Sequence, residues 1–268
     1  MKKNTSHFSP QTSNLRIGWL YPKLMSTYGD RGNILVLQKR CEWRDIEVEI
    51  VPIDEGTSDK TINTIDLLFG GGAQDREQTI VMEHLQRHAS VIKKRIEKNM
   101  PALFVCGAPQ LMGDYYETAD GQRIEGLGIF PMHTKPADDT QDRLIGNVVA
   151  KINPEGMKNF QSSSLNSLVG FENHGGRTYL DKGAKTLATI LKGNGNNGED
   201  GSEGVVYKNA LGTYLHGPLL PKNPEIADWL ISTALEIKYG KKVDLKPLDD
   251  NLEKQAKSAI ANRLGIEV

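Results

Sequence analysis

The 268-residue sequence has only two cysteines, Cys41 and Cys106. Two thiols cannot build a disulfide framework, and their wide separation does not match the short spacings of a zinc site. No metal site is expected, and a reducing, cytoplasmic location is. An excess of either charge is also missing: 33 Lys and Arg stand against 34 Asp and Glu, a formal net charge of −1. That balance offers no bulk attraction to nucleic acid or to an anionic membrane surface. No apolar run reaches the ~18 residues of an integral membrane segment. Met1 to Asn14 lack the apolar centre of a signal peptide, so residues 1–14 are read as a disordered leader. Gly70-Gly71-Gly72 is not followed by Gly-Lys-Ser/Thr and lacks dinucleotide-binding spacing, which argues against a phosphate loop.

Strand-like and helix-like segments alternate through the first half. Leu15 to Tyr21, Ile46 to Val51, Ile65 to Phe69 and Ala102 to Val105 read as strands. Gly32 to Trp43 reads as a helix with Ile34, Leu35, Leu37 and Cys41 on its inner face. Glu77 to Asn99 reads as a second helix, opened by a capping box of Asp75 and Gln78. Such alternation predicts an α/β fold with a mostly parallel central sheet flanked by helices. The second half is richer in strands. Leu144 to Ile152 and Leu168 to Glu172 are expected strands. Val205 to Leu215 is an expected hairpin, and Gly193 to Gly204 an expected surface loop. Two amphipathic helices, Asn223 to Tyr239 and Leu248 to Leu264, follow. The expected division is a domain over 15–240 and a helical extension over 241–268, packed on that domain or on a partner.

Cys106 ends an apolar run and is followed at once by Gly107. That pattern reads as a strand leading into a sharp turn with the thiol at its apex, where helix N-terminal amides favour a thiolate. A buried, inert cysteine is the competing reading. His216 ends another apolar run, before Gly217-Pro218, and is placed to serve as a base. A hydrogen-bonded structural histidine is its alternative, and His174 is the rival base. His84 and His88 are expected to face solvent, and His133 has a weaker setting. In parallel sheets, ligands bind beyond the carboxyl ends of strands, so Gly70–Gly72 and Cys106 are expected to share one site.

Gly-Gly-Gly before a helix, Cys106-Gly107-Ala108-Pro109-Gln110 and Tyr214-Leu215-His216-Gly217-Pro218 together resemble the class I, triad-type glutamine amidotransferases, in their cobyric acid synthase-like branch. Tyr28 to Asn33, Glu125 to Gly128, Gly170 to Thr178 and Gly212 to Pro218 narrow the resemblance to the glutaminase subunits of lipid II isoglutaminyl synthases. The resemblance spans residues 15–240 and implies a flavodoxin-like fold. It implies Cys106 as nucleophile, His216 as base, and Gly71, Gly72 and Gly107 around the oxyanion. It further implies Gln110, Arg143, Asn173 and His174 as glutamine-contacting residues, with Arg143 on the α-carboxylate. The implied partner is a MurT-like Mur ligase subunit, which would carry ATP and Mg and amidate lipid II at the inner face of the membrane; this chain would need no cofactor. A cobyrinate-type acceptor and a stand-alone cysteine hydrolase are the alternative functions. One departure stands out. The class I pattern has a glutamate two residues after the histidine, and here that position is Pro218. The acid orienting His216 is therefore Asp30, Glu172, Glu225, a residue of the partner, or absent.

Overall fold

The computed structural model describes residues 13–138, 142–156 and 166–268. The proposed leader, except for residues 13 and 14, lies outside them. The first half alternates as β1 (Asn14–Leu20), α1 (Arg31–Glu42), β2 (Glu47–Ile53), α2 (Asp59–Ile62), β3 (Leu67–Gly70), α3 (Asp75–Leu85), α4 (Ala89–Glu97), β4 (Ala102–Val105) and α5 (Gly107–Met112). The second half runs β5 (Tyr115–Glu117), β6 (Arg123–Glu125), β7 (Met132–Pro136), β8 (Leu144–Ile152), β9 (Ser167–His174), β10 (Gly176–Leu180), β11 (Ala188–Lys192), β12 (Ser202–Glu203), β13 (Val205–Tyr207) and β14 (Ala210–Thr213), then α6 (Pro224–Tyr239) and α7 (Asn251–Arg263).

The main sheet has the order β13-β14-β4-β3-β1-β2 and is parallel except for the β13–β14 hairpin. Every residue of β3 and β4 is buried, as expected of central strands covered on both faces. β3, β4 and β14 run parallel in adjacent positions, so Gly70, Val105 and Thr213 end them on the same side. The chain leaves all three strands there, and those exits carry the Gly71–Gly72 turn, Cys106 and His216. The second half adds two four-stranded sheets, β10-β7-β5-β6 and β12-β11-β8-β9, more β-structure than the expected hairpins.

Several local expectations need correction. Leu35 is 46% exposed, because α1 turns inward along Ile34, Leu37 and Cys41, and Leu35 lies off that stripe. The expected helix over 77–99 is two helices joined by a 3-10 turn at Gln86–His88. That turn buries His88, whose Nδ1 lies 2.6 Å from Asp59, so His88 does not face solvent; His84 is only half-buried. No capping box forms at α3. The Asp75 carboxylate accepts the Tyr116 hydroxyl, and Gln78 donates to the Ala73 carbonyl and to Gln110. Gly193 to Gly204 is no plain surface loop. Asn196, Asn197 and Glu203 are buried, and Asn196 bonds the Gly204 backbone through both ends of its amide.

The helical extension packs on the rest of the chain. Buried Arg40 holds Asp228 of α6 and Asp250 at the start of α7, each at 2.6 Å. Lys257 donates to the Ser167 carbonyl at 2.6 Å, and Ala261 packs against Val149 and Val169.

Candidate active site

Cys106 has φ +54° and ψ −99°, a strained conformation for a side chain with a Cβ. The strain holds because both sides are fixed. The Cys106 N–H donates to the Thr213 carbonyl at 2.8 Å, and α5 begins at the next residue. The elbow also needs glycine beside it. A Cβ on Gly107 would stand 3.0 Å from the Ala73 nitrogen. A Cβ on Gly72 would stand 2.5 Å from Thr27 Oγ1, 3.0 Å from His216 Cε1 and 3.2 Å from Cys106 Cβ. Gly72 therefore lies between the thiol and the imidazole, and no larger residue fits.

His216 is fully buried and joined to Phe171 by a two-way backbone bridge. Its Nδ1 lies 3.2 Å from Asp30 Oδ1. The other Asp30 oxygen accepts the Gly72 N–H at 2.7 Å. One buried carboxylate thus holds both the base and the Gly71–Gly72 turn. Pro218 explains how Asp30 arrives there. A Cβ on Gly32 would come within 2.4 Å of Pro218 Cγ, so the proline seats the start of α1, and with it Asp30, against the His216 strand end. Of the in-chain acids considered from sequence, Asp30 alone touches this ring. Glu172 lies beside His174 instead, and the charge of Glu225 acts on Lys257.

Burial lowers the basicity of His216, but the Cys106 charge and the Asp30 hydrogen bond outweigh it and raise its pKa to about 10. The ring is therefore an imidazolium at neutral pH. Its Nε2 is buried and has no other hydrogen-bond partner among the described residues, and Cys106 raises the His216 pKa both by charge and by hydrogen bonding. A protonated imidazole beside a cysteine is the pairing that supports a thiolate nucleophile. Tyr28, at φ +51° and half exposed, places its ring edge-on to His216 with centroids 5.2 Å apart.

The oxyanion donors need one correction. The Gly72 amide is occupied by Asp30 and is not free for substrate. The Ala73 backbone packs close to Gly107, and neither the Ala73 nor the Gly107 N–H makes a hydrogen bond among the described residues. Gly71 is a packing requirement, since a Cβ there would meet the Met25 carbonyl at 2.5 Å. Gln110 lies in the first turn after Cys106. Its carbonyl accepts from Gln78 at 3.0 Å and its amide donates to the Tyr214 hydroxyl at 2.9 Å. His174 stacks on Tyr214 with centroids 3.8 Å apart. Arg143 is exposed and braced on Asn173, donating to its side-chain and backbone oxygens at 3.0 and 3.2 Å. It immediately precedes Leu144, the cross-strand partner of His174. His133 lies apart, stacked between Tyr115 and Tyr179.

Sequence reasoning missed the unengaged Ala73 N–H beside Gly107 and missed Glu203 as a support. Glu203 is fully buried and accepts both the Thr213 hydroxyl and the Tyr214 N–H, the segment between Cys106's backbone acceptor and His216. Burial pushes its pKa up to about 7. The folded state thus holds this proton more tightly than the unfolded chain. The resulting stabilisation is present below the ordinary carboxylate range and is lost as pH rises through about 7. Glu203→Gln should abolish a stability difference of about 2–3 kcal/mol between pH 5 and pH 8. Urea unfolding of both proteins at the two pH values checks this, and an unchanged difference would contradict it.

A nucleophile elbow, a histidine–carboxylate pair and two free backbone donors at the ends of parallel strands form a site for acyl transfer from an amide. The chain matches the CobB/CobQ-like glutamine amidotransferase domain over residues 16–224 and belongs to that family. It is a glutamine amidotransferase.

Within the family, the chain is 43% identical to the lipid II isoglutaminyl synthase (glutamine-hydrolyzing) subunit GatD of Staphylococcus aureus, over 89% of this chain and 91% of that protein. It is 40% identical to the GatD of Streptococcus pneumoniae, over 90% and 88%. Among solved structures, a glutamine amidotransferase crystal structure superposes with a TM-score of 0.56 at 14% identity, covering 81% of this chain and 98% of the other, which supports the fold. No helix among the described residues is long and apolar enough to cross a membrane.

Proposed function

We propose that this chain is the glutaminase subunit of a lipid II isoglutaminyl synthase. The observation that carries the chemistry is the buried Cys106–His216–Asp30 array, with His216 Nδ1 3.2 Å from Asp30. Similarity to two GatD subunits over about nine-tenths of the chain supports the acceptor.

Cys106 sulfur attacks the side-chain amide carbon of L-glutamine. The carbonyl oxygen becomes an oxyanion facing the Ala73 and Gly107 amides; one such donor is typically worth about 3 kcal/mol of barrier. The His216 imidazolium protonates the departing nitrogen, and ammonia leaves. The neutral ring then takes a proton from water, which cleaves the γ-glutamyl thioester and frees Cys106. Asp30 keeps the Nδ1 proton in place throughout. Arg143 suits the substrate α-carboxylate through a bidentate contact, with Asn173 bracing it, and Gln110 and His174 line the same pocket. Ammonia is a nucleophile only while unprotonated, so it must pass to the acceptor without entering bulk water. The receiving chain is a MurT-like Mur ligase subunit that activates the D-glutamate α-carboxylate of lipid II with ATP and Mg, at the inner face of the membrane.

The test is ammonia release from L-glutamine by the chain alone and with a co-expressed Mur ligase subunit, followed by lipid II amidation in the complex. Glutamine-dependent formation of D-isoglutamine on lipid II supports the proposal. Glutamine hydrolysis without lipid II amidation by the complex would leave a glutaminase serving another acceptor. No hydrolysis in either preparation would overturn it.

A further inference from the structure

Gln78 has no part in the mechanism above, although its spacing from Asp75 marks it in the sequence as a capping residue. It stands in the first turn of α3 and is 2% exposed. Both hydrogens of its side-chain amide are directed at oxygens: Nε2 lies 3.3 Å from the Ala73 carbonyl and 3.0 Å from Gln110 Oε1. A carbonyl oxygen only accepts, so these two neighbours fix which end of the amide faces them. The other end, Oε1, is buried and has no partner among the described residues. A buried glutamine that leaves its acceptor unmatched while matching both hydrogens is held for its donor end.

The two acceptors belong to the two sides of the nucleophile elbow. Ala73 lies in the turn between β3 and α3, and Gln110 lies on α5, four residues past Cys106. Gly107 packs against the same group. A Cβ there would stand 3.0 Å from the Ala73 nitrogen and 3.1 Å from both the Ala73 oxygen and Gln78 Nε2. One amide therefore ties the β3–α3 turn to α5 beside Gly107. Gln110 continues the chain of contacts. Its nitrogen donates to the Tyr214 hydroxyl at 2.9 Å, that hydroxyl pairs with Thr178 Oγ1 at 2.6 Å, and Thr178 Oγ1 pairs with Thr134 Oγ1 at 2.6 Å. Thr134 and Thr178 face each other on β7 and β10, which anchors the chain in the β10-β7-β5-β6 sheet. With its nitrogen held by Tyr214, Gln110 turns its oxygen toward α3, and a buried oxygen there needs the Gln78 hydrogen.

We infer that Gln78 is a positioning residue for the glutaminase reaction: its amide locks the Ala73 segment against the nucleophile elbow, the two sides that carry the Ala73 and Gly107 N–H groups. The inference rests on the glutaminase reading and gives Gln78 no contact with substrate. Without the clamp, the two N–H groups lose their common aim, and the step that forms the oxyanion slows. The Cys106 thiolate, supported by His216 and by the elbow itself, is left in place.

The experiment uses the full chain with its synthetase subunit and compares wild type with Gln78→Met and Gln78→Glu. Methionine keeps the length of the side chain and removes both donors. Glutamate donates only while protonated, and burial against two carbonyl oxygens holds its pKa above the ordinary carboxylate range. Three quantities are measured against wild type at each pH: kcat for L-glutamine, KM for L-glutamine, and the rate at which iodoacetamide alkylates Cys106, followed by mass spectrometry. Alkylation needs the thiolate but forms no oxyanion. The expected result for Gln78→Met is a fall in kcat of at least about tenfold, with KM and alkylation within about threefold of wild type. In Gln78→Glu the same deficit at pH 8 shrinks at least about fivefold by pH 6, as the carboxyl gains its proton. A kcat at pH 8 within about twofold of wild type in either variant overturns the inference. So does alkylation that falls in step with kcat, which marks a general loss of structure. Should Gln78→Met fail to fold, the recovery of Gln78→Glu at low pH carries the test, and its absence overturns the inference. A wild type that releases no ammonia from glutamine overturns the glutaminase reading, and the inference with it.

Discussion

Cys106→Ala abolishes ammonia release from L-glutamine while acceptor amidation from added ammonium chloride continues near the wild-type rate. The expected loss is large, about 10⁴-fold or more, because no neighbour can take over the attack on the amide carbon. Cys41, the other thiol, is fully buried on α1 in the core, and burial pushes its pKa up to about 12. The retained ammonium-dependent activity separates this variant from one that has merely unfolded or lost its partner. Paired assays of the complex, with glutamine and with ammonium as nitrogen source, give the result. Persistence of the glutamine-dependent reaction would remove Cys106 from the mechanism.

The second large effect belongs to Asp30. Asp30→Asn is nearly isosteric, and its oxygen can still accept the Gly72 N–H. Its amide nitrogen then faces His216 Nδ1 as a donor where an acceptor stood. The imidazole must present a lone pair there and carry its hydrogen on Nε2, the wrong tautomer for a base. A fall in kcat of about 10²–10⁴-fold is expected, with a smaller change in KM. The pH profile carries a separate signature. The hydrogen bond and charge of Asp30 help raise the His216 pKa to about 10. Losing them moves the alkaline limb, where the imidazolium loses its proton, toward lower pH. Full activity with an unmoved alkaline limb would show that the orienting acid comes from elsewhere, the partner subunit included.

The two reacting residues were legible because each is announced locally. Cys106 and His216 both end apolar runs, and a glycine follows each one. The parallel sheet was legible from alternation, since β3 and β4 are short and wholly apolar. Asp30 was only one candidate among several. It meets His216 across 186 positions of sequence, through the fit of Pro218 on Gly32, and no local pattern encodes that contact. The Gly72 amide was misjudged for the same reason, since its partner is Asp30. Leu35 and the helix break at Gln86–His88 show the limit of periodicity. An extra apolar residue beside a stripe, or a tightened turn within one, leaves the pattern almost unchanged. The buried Asn196, Asn197 and Glu203 read as loop residues because polar side chains that satisfy one another in the interior look like solvent-facing ones in sequence.

The direction of the strands also bears on inhibitor discovery. A cavity of about 480 Å³ opens at the far end of the main sheet, among Asn99, Lys185, Tyr207 and Asn209. Asn99 precedes β4, whereas Cys106 follows it, so the length of a central strand separates this cavity from the chemistry. Compounds selected for snug fit there would occupy the protein without blocking it. Electrophilic warheads on an amino-acid scaffold address the other end, where a strained elbow already presents a sulfur beside a cationic ring.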